Sequence, residues 1–110
     1  MAYDDELANR IRKVVQDEPG LSEKRMFGGL AFLVNGNMAV GASSQGGLLL
    51  RVDPAQTESL VVHEHVRRFT MRGREMNGWL DVDVEVLKTD DEVRRWVEQG
   101  LAYARSLKAK

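Results

Sequence analysis

Asn35-Gly36 stands between two apolar runs, residues 30–34 and 38–42. No other feature restricts the fold of this chain so sharply. A type I′ turn needs positive φ at both central residues, and Asn-Gly reaches those angles with least strain, so the pair predicts a tight β-hairpin. A second run of turn residues, Ser-Ser-Gln-Gly-Gly at 43–47, follows the hairpin and leads to another apolar stretch at 48–52. With a further strand expected at 23–27, four strands follow one another through short loops. Such strands pair with their sequence neighbours, and the sheet is antiparallel.

Helical periodicity frames these strands. Tyr3, Leu7, Ile11, Val14 and Val15 recur at helical spacing, with Asp4, Asp5 and Glu6 in the first turn, and Pro19-Gly20 closes the segment. Asp53-Pro54 opens a short helix expected to run to about Val62, with aspartate at the cap and proline at the first helical position. Strands are expected at 66–71 and 79–82, with a turn or bulged ladder between them and an ambiguous stretch at 83–88. Thr89 and Glu92 form a capping box. Behind it Val93, Trp96, Val97, Gly100, Leu101 and Ala104 make one apolar stripe. Gly100 on that stripe implies a close approach to the sheet, and Trp79 and Trp96 read as core anchors. The order α-β-β-β-β-α-β-β-α predicts a two-layer α+β domain, an antiparallel sheet with helices on one face, spanning residues 1–110.

At 110 residues and 43% apolar composition the chain is long and apolar enough for one core. It holds no cysteine, which excludes disulfides and thiolate chemistry. The opening residues lack the apolar stretch of a signal peptide, and no run approaches a membrane span, so a cytoplasmic protein is expected. The net charge of −1 provides no global attraction to nucleic acid. In the central hairpin, Leu30, Phe32, Val34, Met38 and Val40 are assigned to one face and Ala31, Leu33 and Ala39 to the other. Both are apolar, so the second face is expected to be covered by another copy of the chain, with Ala31, Leu33 and Ala39 as the dimer face.

The residues with chemical potential are few. Gly28-Gly29 follows no phosphate-loop pattern and precedes a strand, so it reads as a bulge or a crowded crossing point. His63-Glu64-His65 offers two imidazoles without a third ligand or a paired nucleophile, and reads as a solvated loop. Asp81, Asp83 and Glu85 alternate with valines and could align three carboxylates on one strand face; the simpler reading is the wet side of an edge strand. Arg67, Arg68, Arg72 and Arg74 fall within eight residues, near Phe69 and Trp79, and are the candidates for contact with an anion or nucleic acid. No catalytic residue, cofactor site or metal site is assigned.

Several segments in order carry a family resemblance: Met26-Phe27-Gly28-Gly29, the Asn35-Gly36 turn, Gly78-Trp79, and the Trp96 helix ending in Leu101-Ala102-Tyr103-Ala104. Together they resemble the N-terminal domain of the TfoX (Sxy) family of bacterial competence regulators, over almost the whole chain. The resemblance implies a two-layer α+β fold of the secretion-chaperone-like kind and a role in switching on DNA-uptake genes beside a transcription factor. It brings no catalytic residues to transfer. The family's C-terminal helical domain is not matched, and the chain is expected to be the N-terminal domain alone. The function expected is a non-catalytic protein-interaction module, homodimeric, with a regulatory protein partner. The alternatives are an anion or nucleic-acid binder using the arginines and, third, a small enzyme.

Overall fold

The computed structural model describes residues 4–26, 28–44, 46–62, 64–71 and 73–109, with Met26 and Met71 described by backbone alone. The elements are α1 (Asp5–Val15), β1 (Leu21–Met26), β2 (Gly29–Val34), β3 (Asn37–Ala42), β4 (Leu48–Arg51), α2 (Thr57–Leu60), β5 (Val66–Met71), β6 (Arg74–Val82) and α3 (Asp90–Ser106). They form an α+β domain in the expected order. One six-stranded antiparallel sheet runs β1-β2-β3-β4-β6-β5.

Local chemistry sets the element ends. Asp4 caps α1, its carboxylate accepting from the backbone N–H groups of Glu6 (3.0 Å) and Leu7 (3.2 Å). Tyr3, expected in that helix, lies outside the described residues. Asn35 and Gly36 turn at φ of 52° and 84°, as a type I′ hairpin requires. At α3 the Thr89 hydroxyl accepts from the Glu92 backbone (3.1 Å), and the Glu92 carboxylate accepts from the Thr89 backbone (3.0 Å). The expected second helix is shorter and broken: Asp53 caps a single 3₁₀ turn at Pro54–Gln56, which continues into the one turn of α2. The ambiguous stretch after Val82 is a 3₁₀ turn, Val84–Val86, capped by Asp83. β6 begins at Arg74 rather than near Trp79, so of the two alternatives expected before Trp79 the bulged ladder is the one present.

The main core lies between the helices and one sheet face. Leu7, Ile11 and Val15 of α1 and Val93, Val97, Leu101 and Ala104 of α3 are buried there with Leu30, Phe32, Val34, Val40, Leu48, Leu50, Leu80 and Val82. Trp96 packs at its margin, half-buried rather than as a central anchor.

The faces of β3 differ from simple alternation. Pairing runs Phe32↔Val40 and then Leu33↔Met38, which leaves Ala39 as an extra residue. This bulge turns Ala39 and Val40 to the same side. Ala39 therefore faces the helices, fully buried, and Met38 belongs to the opposite face, the reverse of the alternation expected for both. Gly100 of α3 sits directly over the bulge. A Cβ at position 100 would lie 2.4 Å from the Ala39 carbonyl oxygen and 2.7 Å from Val40 Cγ1.

The helix-free face has its own small core of Ala31, Met38, Leu49 and Phe69, with Leu33, Met76 and Trp79 packed around it. β2 and β5 are four strands apart, about 19 Å in a flat sheet. Yet Ala31 and Phe69 line one cavity of about 10 Å³. The sheet is therefore strongly coiled, and its outer hairpin closes over its own concave face. The bend has a source in β6, where β5 pairing jumps from Arg68↔Leu80 to Phe69↔Met76, so that residues 77–79 of β6 are inserted between two successive pairs. Gly78 within that bulge has φ of 84°, donates its N–H to Thr57 Oγ1 (2.9 Å) and accepts from Val52 N–H (2.8 Å). The expected dimer face is corrected accordingly. Ala39 is on the other side, Ala31 is 1% exposed beneath the chain's own side chains, and only Leu33 of the three is partly open.

Gly28 and Gly29 do separate jobs. Gly28 has φ of 75° in the loop joining β1 to β2. At Gly29 a Cβ would stand 2.2 Å from the Ala42 carbonyl oxygen, so the crowded-crossing expectation holds there. Phe27 lies outside the described residues.

Candidate functional site

β5 and β6 bring most of the charged candidates to one corner of the sheet. Successive strand residues point to opposite faces, so Arg67 and Arg68 diverge rather than form one cluster. Arg68 reaches the helix side and forms an ion pair and hydrogen bond with Glu58 of α2. Arg67 lies on the other face, 63% exposed, with Nε 3.8 Å from Asp81 Oδ2, its cross-strand partner. Arg74 is exposed at the far end of the hairpin. Arg72 lies outside the described residues. The described arginines therefore do not converge on one anion.

The carboxylates are also separated. β6 is not an edge strand: it lies between β4 and β5, which makes Asp81 one of the few buried polar residues, 8% exposed. The wet-edge reading fails for that reason. The three-carboxylate alignment fails as well, because the strand ends at Val82 and the chain then turns. Asp83 spends one oxygen on the Glu85 backbone N–H (3.0 Å), and Glu85 pairs with Lys88 (3.2 Å). Burial raises the Asp81 carboxyl above the usual aspartate value; the Arg67 guanidinium opposes the shift and Asp83 adds to it. Gly47 makes room for this carboxyl, since a Cβ there would come within 2.7 Å of Asp81 Oδ1. Gly46, Gly47, Arg67, Asp81, Asp83 and Val84 line an open hollow of about 260 Å³.

His65 stands beside this hollow, its Nδ1 3.9 Å from Asp83 and its Nε2 3.9 Å from Glu64. His63 lies outside the described residues. Among the described residues no three histidine, aspartate or glutamate side chains are placed to hold a metal ion. The Ser59 hydroxyl donates to the Gln56 carbonyl oxygen (3.0 Å).

One arrangement could not be read from the sequence. The Arg51 guanidinium lies over the Trp79 ring at 5.2 Å and over the Tyr103 ring at 5.6 Å. It ties the sheet to the last turns of α3 by cation–π attraction. The pairing of Arg51 with Trp79 requires β4 to lie beside β6, an order no local signal encodes. Trp79 is thus a half-buried cover on the concave face and not a member of the main core. With Leu33 and Met76 it forms a half-open apolar rim around Ala31, Met38, Leu49 and Phe69. Lys24 stands opposite Ala31 and Arg67 opposite Asp81 on this same face, both exposed.

The fold and this surface define a class: a two-layer α+β domain whose coiled sheet presents an apolar rim, with its charged groups largely spent on neighbours. The family model of the TfoX N-terminal domain matches residues 13–104, and the chain belongs to that family. No curated protein matches it. No helix among the described residues is long and apolar enough to cross a membrane.

Proposed function

We propose that this domain is a non-catalytic, protein-interaction module in gene regulation of the competence type, and that it engages its regulatory partner through the concave sheet face. The observation that carries this reading is the half-open rim of Leu33, Met76 and Trp79. Apolar side chains set around a buried centre and bordered by exposed charge resemble the core and rim of a protein interface. The bordering charges, Lys24 and Arg67, are basic, so the partner surface that fits is apolar with an acidic margin. Membership of the TfoX N-terminal domain family supports the regulatory side of the reading. The pairing of Arg68 with Glu58 and of Lys88 with Glu85, and the capping duty of Asp83, support the absence of catalysis, because these groups stabilise the fold locally.

Transcript profiling tests the proposal in a strain lacking the gene, complemented by the wild-type chain or by Leu33→Glu with Met76→Glu. Deletion should change a defined set of transcripts, the wild type should restore them, and the folded double variant should not. Unchanged transcripts after deletion would sink the regulatory reading. Full restoration by the double variant would move the contact elsewhere.

A further inference from the structure

We propose that β1 is a self-pairing edge, on which a second copy of the chain adds its own β1 antiparallel about a two-fold axis at Lys24. This inference concerns the backbone edge of the sheet, which meets the border of the concave face only at Lys24, and does not depend on the regulatory reading. Among the described residues β1 ends the sheet on one side and pairs with β2 alone, in unbroken register from Leu21↔Val34 to Met26↔Gly29. Ser22, Glu23, Lys24 and Arg25 are all exposed. A regular, unbulged edge of this kind is a template for another strand unless its charges repel one.

The free hydrogen-bonding groups can be assigned. In an antiparallel ladder, opposed residues alternate between exchanging both backbone bonds and exchanging none. Asn35 N–H donates to the Gly20 carbonyl oxygen (3.0 Å), and Leu21 N–H is used locally on Glu18 (3.3 Å). Alternation from these two points turns the backbone groups of Ser22 and Lys24 inward to β2. Those of Glu23 and Arg25 point outward, free to pair.

Charge then selects the register. A two-fold axis at Lys24 sets Glu23 opposite Arg25 of the second copy, and by symmetry Arg25 opposite the other Glu23. Those are the residues with outward backbone groups, so both opposed pairs exchange two hydrogen bonds and each joins opposite charges. Both side chains lie on the helix side, since Glu23 pairs with Phe32 and Arg25 with Leu30. An axis at Glu23 would instead oppose two glutamates, and one at Arg25 two arginines. The cost at the chosen register is Lys24 opposite its own copy, on the concave side where both ammonium groups can splay into water. Arg12 of α1 already holds Glu23 through two 3.0 Å bonds, so Glu23 would sit between two guanidinium groups. The other edge cannot do the same. β5, with sequence Val-Arg-Arg-Phe-Thr-Met, carries two arginines and no acid, so no register with a copy of itself joins opposite charges. With only one self-complementary edge, association closes at two copies.

Lys24→Cys tests the geometry directly, because the chain has no cysteine of its own. At the axis the two Cα atoms form a non-hydrogen-bonded pair about 4.5 Å apart, close enough for a disulfide. Mild oxidation should give a covalent dimer from Lys24→Cys and little from the comparably exposed Ser22→Cys. Sedimentation should be followed to about 500 µM, because a strand edge buries less surface than a standard stable interface. The wild type should dimerise with rising concentration. Arg25→Glu should weaken dimerisation about tenfold or more, since it sets like charges opposite each other twice. Glu23→Arg with Arg25→Glu should restore it. Monomer throughout, equal crosslinking at Ser22→Cys, or a dimer indifferent to Arg25→Glu would each overturn the proposal.

Discussion

Position 100 shows how closely helix and sheet meet. An alanine there gains about 1 kcal/mol of helix propensity over glycine, but its methyl would stand 2.4 Å from the Ala39 carbonyl oxygen. That oxygen belongs to the backbone of the bulge, flanked by paired residues on both sides, and not to the end of a flexible side chain. Overpacking of this kind costs about 1–3 kcal/mol, so Gly100→Ala should lower stability despite the better helix former. Urea denaturation monitored by circular dichroism measures it, and a higher midpoint would mean that α3 has room to lift. The sequence signalled this contact, because a glycine in the middle of an apolar helical stripe needs a steric reason. It did not reveal the bulge at Ala39 that creates the contact. Strict alternation assigned Ala39 and Met38 to the wrong faces, since a single inserted residue reverses the phase and leaves no mark in a run of apolar side chains.

At the scale of elements, ends were more legible than faces. The Asn35-Gly36 turn, the Asp53-Pro54 turn and the Thr89 capping box each rest on residues whose local chemistry has one good solution. The start of β6 stays open between turn and ladder in the sequence because Arg74 and Glu75 carry no strand signature; pairing with Met71 and Thr70 of β5 holds them extended. Tertiary links between elements left no local trace either. Arg105, in the last turn of α3, donates from Nε to Glu18 Oε2 (3.0 Å) and pairs through Nη2 with Oε1, joining the helix end to the loop between α1 and β1. The hydrogen bonds from Arg105 hold the Glu18 carboxyl below the usual glutamate value of 4.5, with burial opposing. A carboxyl whose folded pKa lies below its unfolded one adds stability that is complete above the unfolded value and is lost as pH falls through the folded one. Glu18→Gln should therefore be less stable than wild type at pH 7, and the gap should shrink below about pH 4.5. Thermal melts across that range test this; a gap that is constant with pH would mean the link contributes nothing through ionisation.

For the whole molecule, the coiled sheet decides which surfaces remain. Phe69 on the outer hairpin fills the concave face, and the second core depends on it. Phe69→Ala should cost about 3 kcal/mol and raise binding of a hydrophobic dye, while the far-ultraviolet spectrum of the helices stays close to wild type. A loss under about 1 kcal/mol would mean that the hairpin contributes little cover. The two-layer architecture was legible because element order and short loops leave few alternatives. The coiling was not, because it arises from the residues 77–79 that β6 inserts between successive pairs with β5, a relation between strands rather than a property of either. The candidate site was less legible for the same reason. Arg67 and Arg68 are adjacent in the chain and opposed in space, and Asp81 is buried only because β6 lies inside the sheet.

That placement of β6 also sets an order of events during synthesis. β5 leaves the ribosome before β6 yet cannot join the sheet without it, because β6 is the strand that pairs with β4. Until residue 82 has emerged, the growing sheet ends at β4, whose Leu48, Leu49 and Leu50 stand at a bare margin. The covering helix α3 comes later still, so the nascent chain carries an uncapped, leucine-rich border through much of its translation. A nascent-chain chaperone that held this border would cover it until β6 and α3 arrive.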